Sequence, residues 1–347
     1  MRIPSPLTLF VTGLVLLVAT AGILWIVPSD YYVFLPDNAK PVAPLVTVKG
    51  GKDPTGQGGV YYDAVIVRRA KLFEQLFHFV HDGETLVKAE QVNPPGASDQ
   101  QARLENLREM ATSQQIAGAV ALRYLGYKVE VEPRGALIEQ VADGSPAAKA
   151  HLEPTEIIEA IDGKRVRTIG DVRRLMAAHR PGDKVRLTIR TGKELENKTV
   201  ATVEGCTVRP GDAHCVPDPK RAILGVVVKT AAQIQLPIPV QIDAGSIGGP
   251  SAGLAFALDV LEELGHDVTR GYKVAATGEL DTDGSVEPIG GVKQKAIGVR
   301  RAGVDVFLVP AGDNAKEARK WAGPVRVIPV ESFRQALRAL ATLPPKR

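Results

Sequence analysis

Apolar residues run almost without interruption from Leu7 to Val27, and no charged residue stands between Ile3 and Ser29. Such a run predicts one continuous helix, long enough at 1.5 Å per residue to cross a hydrocarbon layer of roughly 30 Å. Trp25, Tyr31 and Tyr32 at its far end read as an interfacial belt. A cleaved signal peptide ending near Ala19-Thr20-Ala21 competes with this reading. Against it, the apolar run continues through Gly22 to Val27 with no polar break. The expectation is therefore an uncleaved anchor, with residues 7–27 in the lipid bilayer. Arg2 on the near side and Asp30 on the far side orient it, leaving the N-terminus cytoplasmic and the rest extracytoplasmic in a cell membrane.

Beyond the anchor the pattern changes several times. Residues 36–59 are rich in Pro and Gly, with one β-like piece over 45–48, and Val60 to Val67 reads as a single strand. Ala70 to Val80 is an apolar helix candidate. Asp99 to Leu125 predicts a long helix, its apolar side set by Leu104, Leu107, Ala111, Ile116, Val120 and Leu122 and its end by Gly126. From 127 to 205 short strands alternate with turns: 128–131, 136–141, 157–161, 184–190 and 198–203, with a helix over 169–179. Residues 206–221 read as a linker. From 222 onward an α+β pattern takes over, with strands at 223–228, 238–242, 272–277, 306–309 and 325–327 and helices at 251–264, 292–302, 314–321 and 332–340.

The chain has 347 residues, enough for two or three domains, and its 44% apolar and 24% charged content is that of ordinary globular protein. A formal charge of +4 with no basic cluster interleaved with aromatics argues against nucleic acid. Cys206 and Cys215 bracket a short loop and could close a disulfide in an oxidising compartment; two free thiols are the alternative. Only His214 lies near them, and His78 with His81 lacks further ligands, so neither group is read as a metal site. No cofactor is expected.

The stretch richest in chemistry is Asp243-Ala-Gly-Ser-Ile-Gly-Gly-Pro-Ser-Ala-Gly253, which leads from a β-branched run into an apolar helix. It places Ser251 at a helix N-terminus, where unpaired N–H groups gather and an oxyanion can be held. A phosphate-binding turn or a plain strand-to-helix connection would have the same look. As a nucleophile, a serine needs a base. The Gly-x-Ser-x-Gly spacing fits the α/β-hydrolase elbow, whose histidine follows late in the chain, yet no histidine follows His266 here. Ser-x-x-Lys does not occur either. A lysine base remains, and an amine works neutral near pH 7 only when burial disfavours its charged form. On the helix 292–302 the apolar side runs through Val292, Ala296, Val299 and Ala302. Lys295 falls on that side, whereas Lys293 projects beside Arg300 into solvent. The bland alternative is that Lys295 snorkels its charge out past an apolar stem.

Two resemblances follow. Gly135-Ala-Leu-Ile138, Gly144-Ser-Pro-Ala-Ala148 and Glu159-Ala-Ile-Asp-Gly-Lys164 resemble a PDZ domain of the bacterial protease type, although Leu152 to Glu156 lacks the usual Gly-Asp turn. That resemblance implies an extended peptide added as a strand, with Gly135, Ala136, Leu137 and Ile138 at the carboxylate-capping loop. Gly248-Gly-Pro-Ser-Ala-Gly253, Thr277-Gly-Glu279, Pro288-Ile-Gly-Gly-Val-Lys-Gln-Lys295 and Val306-Phe-Leu-Val-Pro310 are similar to the proteolytic domain of Lon peptidases. It implies Ser251 as nucleophile, Lys295 as base, Thr277 as a hydrogen-bond partner of the lysine, and a homo-oligomer. The Lys-Asp that commonly precedes Gly-Pro-Ser is replaced by Ile247-Gly248, and no phosphate-binding loop is present, so no ATP site is expected in this chain.

The sequence thus predicts a multidomain chain: tail and transmembrane anchor (1–30), extracytoplasmic α+β region (31–126), mostly β PDZ domain (127–205), linker (206–221) and α+β Lon-type proteolytic domain (222–347). Its expected activity is that of a membrane-anchored serine endopeptidase. It would cut exported, membrane or unfolded proteins presented by the PDZ domain, without a motor of its own. The alternative is a membrane-tethered peptide-binding or assembly protein whose Lon-like domain is inactive.

Overall fold

The computed structural model describes residues 6–52, 58–77, 81–92, 99–192, 194–207 and 216–346. The chain divides into two compact units, one made of residues 1–128 and 236–347, the other of 129–235. This differs from the linear division expected from the sequence. The region 31–126 does not stand by itself; it shares a unit with the C-terminal part, and the second unit is an insertion between the two halves of the first.

The first half opens with α1 (Pro6–Ile26), followed by β1 (Pro28–Pro36), β2 (Lys40–Pro41), β3 (Val46–Val48), β4 (Gly59–Tyr62), β5 (Val65–Lys71), α2 (Leu72–Leu76), β6 (Thr85–Lys88), α3 (Ala89–Val92) and α4 (Asp99–Tyr124). The helix α1 has 21 residues, and Phe10, Leu14, Leu17, Ile23 and Trp25 are each more than half exposed. Among the described residues no helix is long and apolar enough to cross a membrane; the side chains of Pro6, Thr8 and Leu9 lie outside that set. The interfacial belt read from the sequence is corrected at Tyr32. Its side chain is buried in the strand β1, its hydroxyl donates to Asp99, and the Arg69 guanidinium stands 5.2 Å from its ring centre.

The inserted unit runs β7 (Glu130–Val141), α5 (Pro146–Lys149), β8 (Ile157–Ile161), β9 (Lys164–Arg165), α6 (Ile169–Met176), β10 (Lys184–Thr191), β11 (Glu194–Ala201), β12 (Val203–Thr207), β13 (Val216–Ile223) and β14 (Val226–Gln235). Its main sheet has the order β11-β10-β8-β7-β14. Apolar residues alternate inward, so that Val185, Leu187 and Ile189 of β10 meet Ile158 and Ile161 of β8 in one core. Thr168 caps α6 by accepting from the Asp171 N–H, while the Asp171 carboxylate accepts from the Thr168 N–H. Of the expected linker 206–221, residues 206–207 and 216–221 lie in the paired strands β12 and β13, and the strand expected at 223–228 is divided, with Ile223 ending β13 and Val226 opening the longer β14, which pairs with β7.

The second half returns through β15 (Val240–Ile242), a 3₁₀ turn (Pro250–Ala252), α7 (Gly253–Glu263), β16 (Lys273–Ala276), β17 (Glu279–Leu280), β18 (Val286–Glu287), α8 (Val292–Arg301), β19 (Val306–Pro310), α9 (Asp313–Trp321), β20 (Arg326–Val330) and α10 (Phe333–Ala341). The strand order β2-β4-β16-β19-β20 joins both halves in one sheet, in which β4, β16, β19 and β20 are parallel. A second pairing, β3 with β15, links them again. Parallel strands need crossover helices, and α8 and α9 supply them on one face.

The helix α7 is apolar nearly all round, and Gly253 through Leu261 are all buried. A helix of that kind must be enclosed, and it packs against α4, β3, β4 and β16. The inward side of α4 matches the expected one in part. Val120 and Leu122 are buried as expected, but Leu104 is 47% exposed and Ala111 is exposed, and Met110, Ser113 and Ala117 are buried in addition. The misreading has a physical cause: the buried stripe of α4 includes a serine, which a purely apolar criterion passes over.

Candidate active site

Three segments far apart in sequence meet at Lys295. The first is the glycine-rich loop ending in the 3₁₀ turn that carries Ser251. Gly249 takes φ +83°, and its N–H donates to the Asn106 carbonyl of α4 at 2.8 Å. Ser113, also on α4, donates its hydroxyl to the Pro250 carbonyl at 2.9 Å. A side chain at Gly253 would bring its Cβ within 2.8 Å of the Ser113 Oγ, so the glycine lets α4 brace the turn closely. Thus α4, to which the sequence assigned no chemistry, holds the serine loop at two points.

The second segment is α8, whose start at Gly291 adopts φ +69°. Lys295 is 3% exposed, as its place on the apolar side predicts. Its Nζ lies 3.1 Å from the Ser251 Oγ. Lys293 is not solvated as expected. Its Nζ donates to the Glu84 carbonyl at 2.9 Å and sits 4.9 Å from the Trp321 ring centre. The neighbouring Gln294 is buried and donates to the Gly83 carbonyl and the Thr85 hydroxyl.

The third segment was missed altogether. The run Val60 to Val67 reads as one strand, but it breaks at Asp63-Ala64 into β4 and β5, which belong to different sheets. At the break Asp63 presents two acceptors to Lys295. The Nζ donates to Asp63 Oδ1 at 2.6 Å and to the Asp63 carbonyl at 3.1 Å. Both side chains of this ion pair are almost fully buried, at 4% and 1% exposure. An ammonium carries three N–H donors, and three oxygens from Asp63 and Ser251 surround it here. Asp63 Oδ2 is buried without a partner among the described residues.

Thr277 follows β16 and is fully buried. Its hydroxyl donates to the Ser251 carbonyl at 3.2 Å, beside the Gly278 N–H at 2.8 Å. It therefore fixes the serine backbone rather than the lysine amine. The resulting arrangement can pass a proton directly from Oγ to Nζ, because hydrogen-bond reach needs no intervening water.

The residues expected to cap a peptide carboxylate do not sit at a free edge. Ala136 and Ile138 are fully buried, and the strand that carries them, β7, pairs with β8 on one side and β14 on the other. The Gly135 N–H donates to the Arg167 carbonyl and the Ile138 N–H to the Glu156 carbonyl, so these donors are already used. Leu137 pairs with both Ile157 and Lys229. Among the described residues the end strands of this sheet are β11 and, beside β7, β14. Of the cysteines, Cys206 lies on β12 and Cys215 lies outside the described residues, as does His78.

Residues 224–339 match the family model of the Lon protease (S16) C-terminal proteolytic domain, and residues 123–202 match the PDZ domain. Lon protease 1 of Sorangium cellulosum is 34% identical over 105 residues, covering 27% of this chain and 13% of that protein. Lon protease of Clostridium beijerinckii is 33% identical over 138 residues, covering 33% of this chain and 17% of that protein. The chain therefore spans less than a fifth of the length of these relatives. The PDZ domain of an SdrC-like protein from Listeria monocytogenes is 20% identical and covers 27% of this chain and 87% of its own, with a TM-score of 0.22, a likeness too slight to bear on the fold. By these matches the chain carries a Lon-type serine peptidase domain together with a PDZ domain.

Proposed function

We propose that the chain is a serine endopeptidase that uses a Ser251–Lys295 dyad. The observation that carries this reading is the buried Lys295 Nζ at 3.1 Å from the Ser251 Oγ. Once the amine is neutral, it takes the hydroxyl proton as Oγ attacks the peptide carbonyl. Backbone N–H groups at the Ser251 turn receive the oxyanion. Lys295 then gives its proton to the leaving amine, and water releases the acyl-enzyme. In this reading unfolded or exposed segments are the substrates.

The PDZ domain in this reading receives an extended segment at the outer edge of β14. Among the described residues β14 pairs with no strand on that side, and α6 packs beside it. Val227 on this strand is 51% exposed. The preceding loop, Leu224-Gly225, turns through φ +83° at Gly225, and its backbone is the place for a peptide carboxylate. Anchoring by α1 completes the proposal. A 21-residue helix without a charged side chain, its apolar residues exposed, suits a bilayer better than water. The catalytic unit would then lie outside the cytoplasm.

Cleavage of unfolded casein by the full chain in detergent tests the activity. Ser251→Ala and Lys295→Ala should each abolish it. Cleavage surviving both substitutions would sink the dyad. Complete inactivity of the unaltered chain on every unfolded substrate would favour a binding protein. A compartment reporter fused at the C-terminus tests the topology: a cytoplasmic signal would reverse it.

A further inference from the structure

A buried aspartate from the other half of the unit, Asp63, contacts the lysine amine of the dyad. We infer that Asp63 is the positioning residue of the Ser251–Lys295 pair, fixing the lysine amine at the serine hydroxyl. This inference rests on the dyad reading and adds to it a member that lies outside the matched residues 224–339.

The geometry argues for it in three ways. A lysine amine ends a flexible four-carbon stem, so its location is set by what its N–H groups meet. Here Asp63 supplies two of the three acceptors, one from its side chain and one from its backbone, and Ser251 supplies the third. Three directions define a point, and that point is within hydrogen-bond reach of Oγ. Second, the location of Asp63 is itself over-determined. It follows β4, which is clamped between β2 and β16 in the mixed sheet, and it precedes β5, which is paired to β1. The chain reverses sheet membership at this residue, which turns both its carbonyl and its carboxylate towards α8. Third, the pair is a poor device for stability alone. A carboxylate buried for stability has both oxygens bonded, whereas Asp63 Oδ2 is buried with no partner among the described residues. Local cost of this kind gathers at functional sites.

Asp63 also replaces nothing in the serine loop. Ile247-Gly248 precedes Pro250-Ser251 with no acidic side chain, and among the described residues the carboxylate bonded to Lys295 comes from the strand break at Asp63. The consequence is that the two halves of the unit, separated by the inserted domain, are both needed to build the site.

The test measures casein cleavage and labelling of Ser251 by a fluorophosphonate, using the full chain in detergent. Asp63→Ala should lower kcat by about 100-fold with KM changed less than about twofold, and labelling should slow in step. Asp63→Asn keeps an acceptor oxygen at the same reach and should recover most of the loss. If Asp63→Ala does not fold, Asp63→Ser, too short to reach Nζ, is read in the same way. Wild-type kcat and labelling in Asp63→Ala, with Ser251→Ala and Lys295→Ala both dead, would overturn the positioning role alone. So would an Asp63→Asn variant that folds normally yet is as inactive as Asp63→Ala. Activity surviving Ser251→Ala and Lys295→Ala would overturn the dyad and this role together.

Discussion

Ser113 donates its hydroxyl to the carbonyl of Pro250, one residue before Ser251, from a position 137 residues earlier on α4. The bond is 2.9 Å long and Ser113 is 2% exposed. The Pro250 carbonyl also accepts from the Gly253 N–H, so removing the hydroxyl costs the net worth of one hydrogen bond, about 0.5–1.5 kcal/mol. Ser113→Ala should therefore lower the unfolding free energy by that amount and reduce kcat by about tenfold, because the Ser251 turn loses one of its braces. Denaturant titration and casein turnover on the same preparation check it. An unchanged kcat beside lowered stability would confine Ser113 to a structural part.

Gly253 faces the same serine. Any side chain there would meet the Ser113 Oγ at 2.8 Å and the Leu280 backbone N at 3.3 Å. Gly253→Ala should cost about 1–3 kcal/mol by overpacking, and the Ser113→Ala background should relieve part of that cost. A double-mutant cycle measures the relief as a coupling between the two sites. Strict additivity would mean that the clash is absorbed elsewhere.

How much of this was legible beforehand differs by residue. The inward face of Lys295 could be read from helical spacing, since Val292 and Val299 flank it at the required angles. The Ser251 turn could be read from its glycines. Asp63 could not. It sits inside a run that alternates well enough to pass as one strand, and the break between β4 and β5 is dictated by two sheets that the local sequence does not describe. The insertion was hidden for a related reason. The strands β3 and β4 are short, and their partners β15 and β16 lie beyond the inserted unit, so only long-range pairing reveals the shared sheet. For the PDZ strand the motif was found but its edge was misplaced. Gly135 to Ile138 has the right residue types, yet which side of a strand is free depends on a partner, β14, that arrives almost a hundred positions later.

The edge of β14 gives a prediction of its own. Gly225 cannot carry a side chain: its Cβ would stand 2.3 Å from the Ser145 Cβ, and its φ is +83°. Gly225→Ala should deform the loop before β14 and weaken binding of a C-terminal peptide to the full chain by at least about tenfold. Turnover of a short unstructured peptide should be little affected. Fluorescence anisotropy with a labelled peptide reads the first, and peptide cleavage reads the second. Unchanged affinity would place the peptide elsewhere.

At the acid end, Glu74 is the group to watch. The Arg68 guanidinium, the Lys71 N–H and His81 all bond its carboxylate, and they hold it down at about 2 despite its burial. A depressed carboxyl stabilises the fold above the unfolded value near 4.3 and loses that contribution as pH falls towards 2. Glu74→Gln should cost about 2 kcal/mol at pH 7, with the gap closing between pH 4.5 and 2. Thermal unfolding across that range checks it. A gap that stays constant would assign the loss to packing instead.

Asp259 behaves in the opposite sense. It lies on α7, two turns beyond Ser251, 1% exposed, with Oδ2 buried and unbonded among the described residues. Burial, together with the charges of Glu263 and Glu262, pushes its carboxyl up to about 8. The folded state therefore holds a proton that the unfolded chain has released by about pH 4. Between those values the unfolded state binds fewer protons, so this group's contribution to stability falls as pH rises from about 4 to 8. Asp259→Asn keeps the shape and removes the titration. It should match the unaltered chain near pH 4 and grow more stable than it by several kcal/mol as pH approaches 8. The measurement is the difference in unfolding free energy between the two chains at successive pH values, which cancels groups common to both. A difference that does not widen with pH would mean that Asp259 is already ionised in the folded chain, and that the apolar jacket around α7 admits a charge.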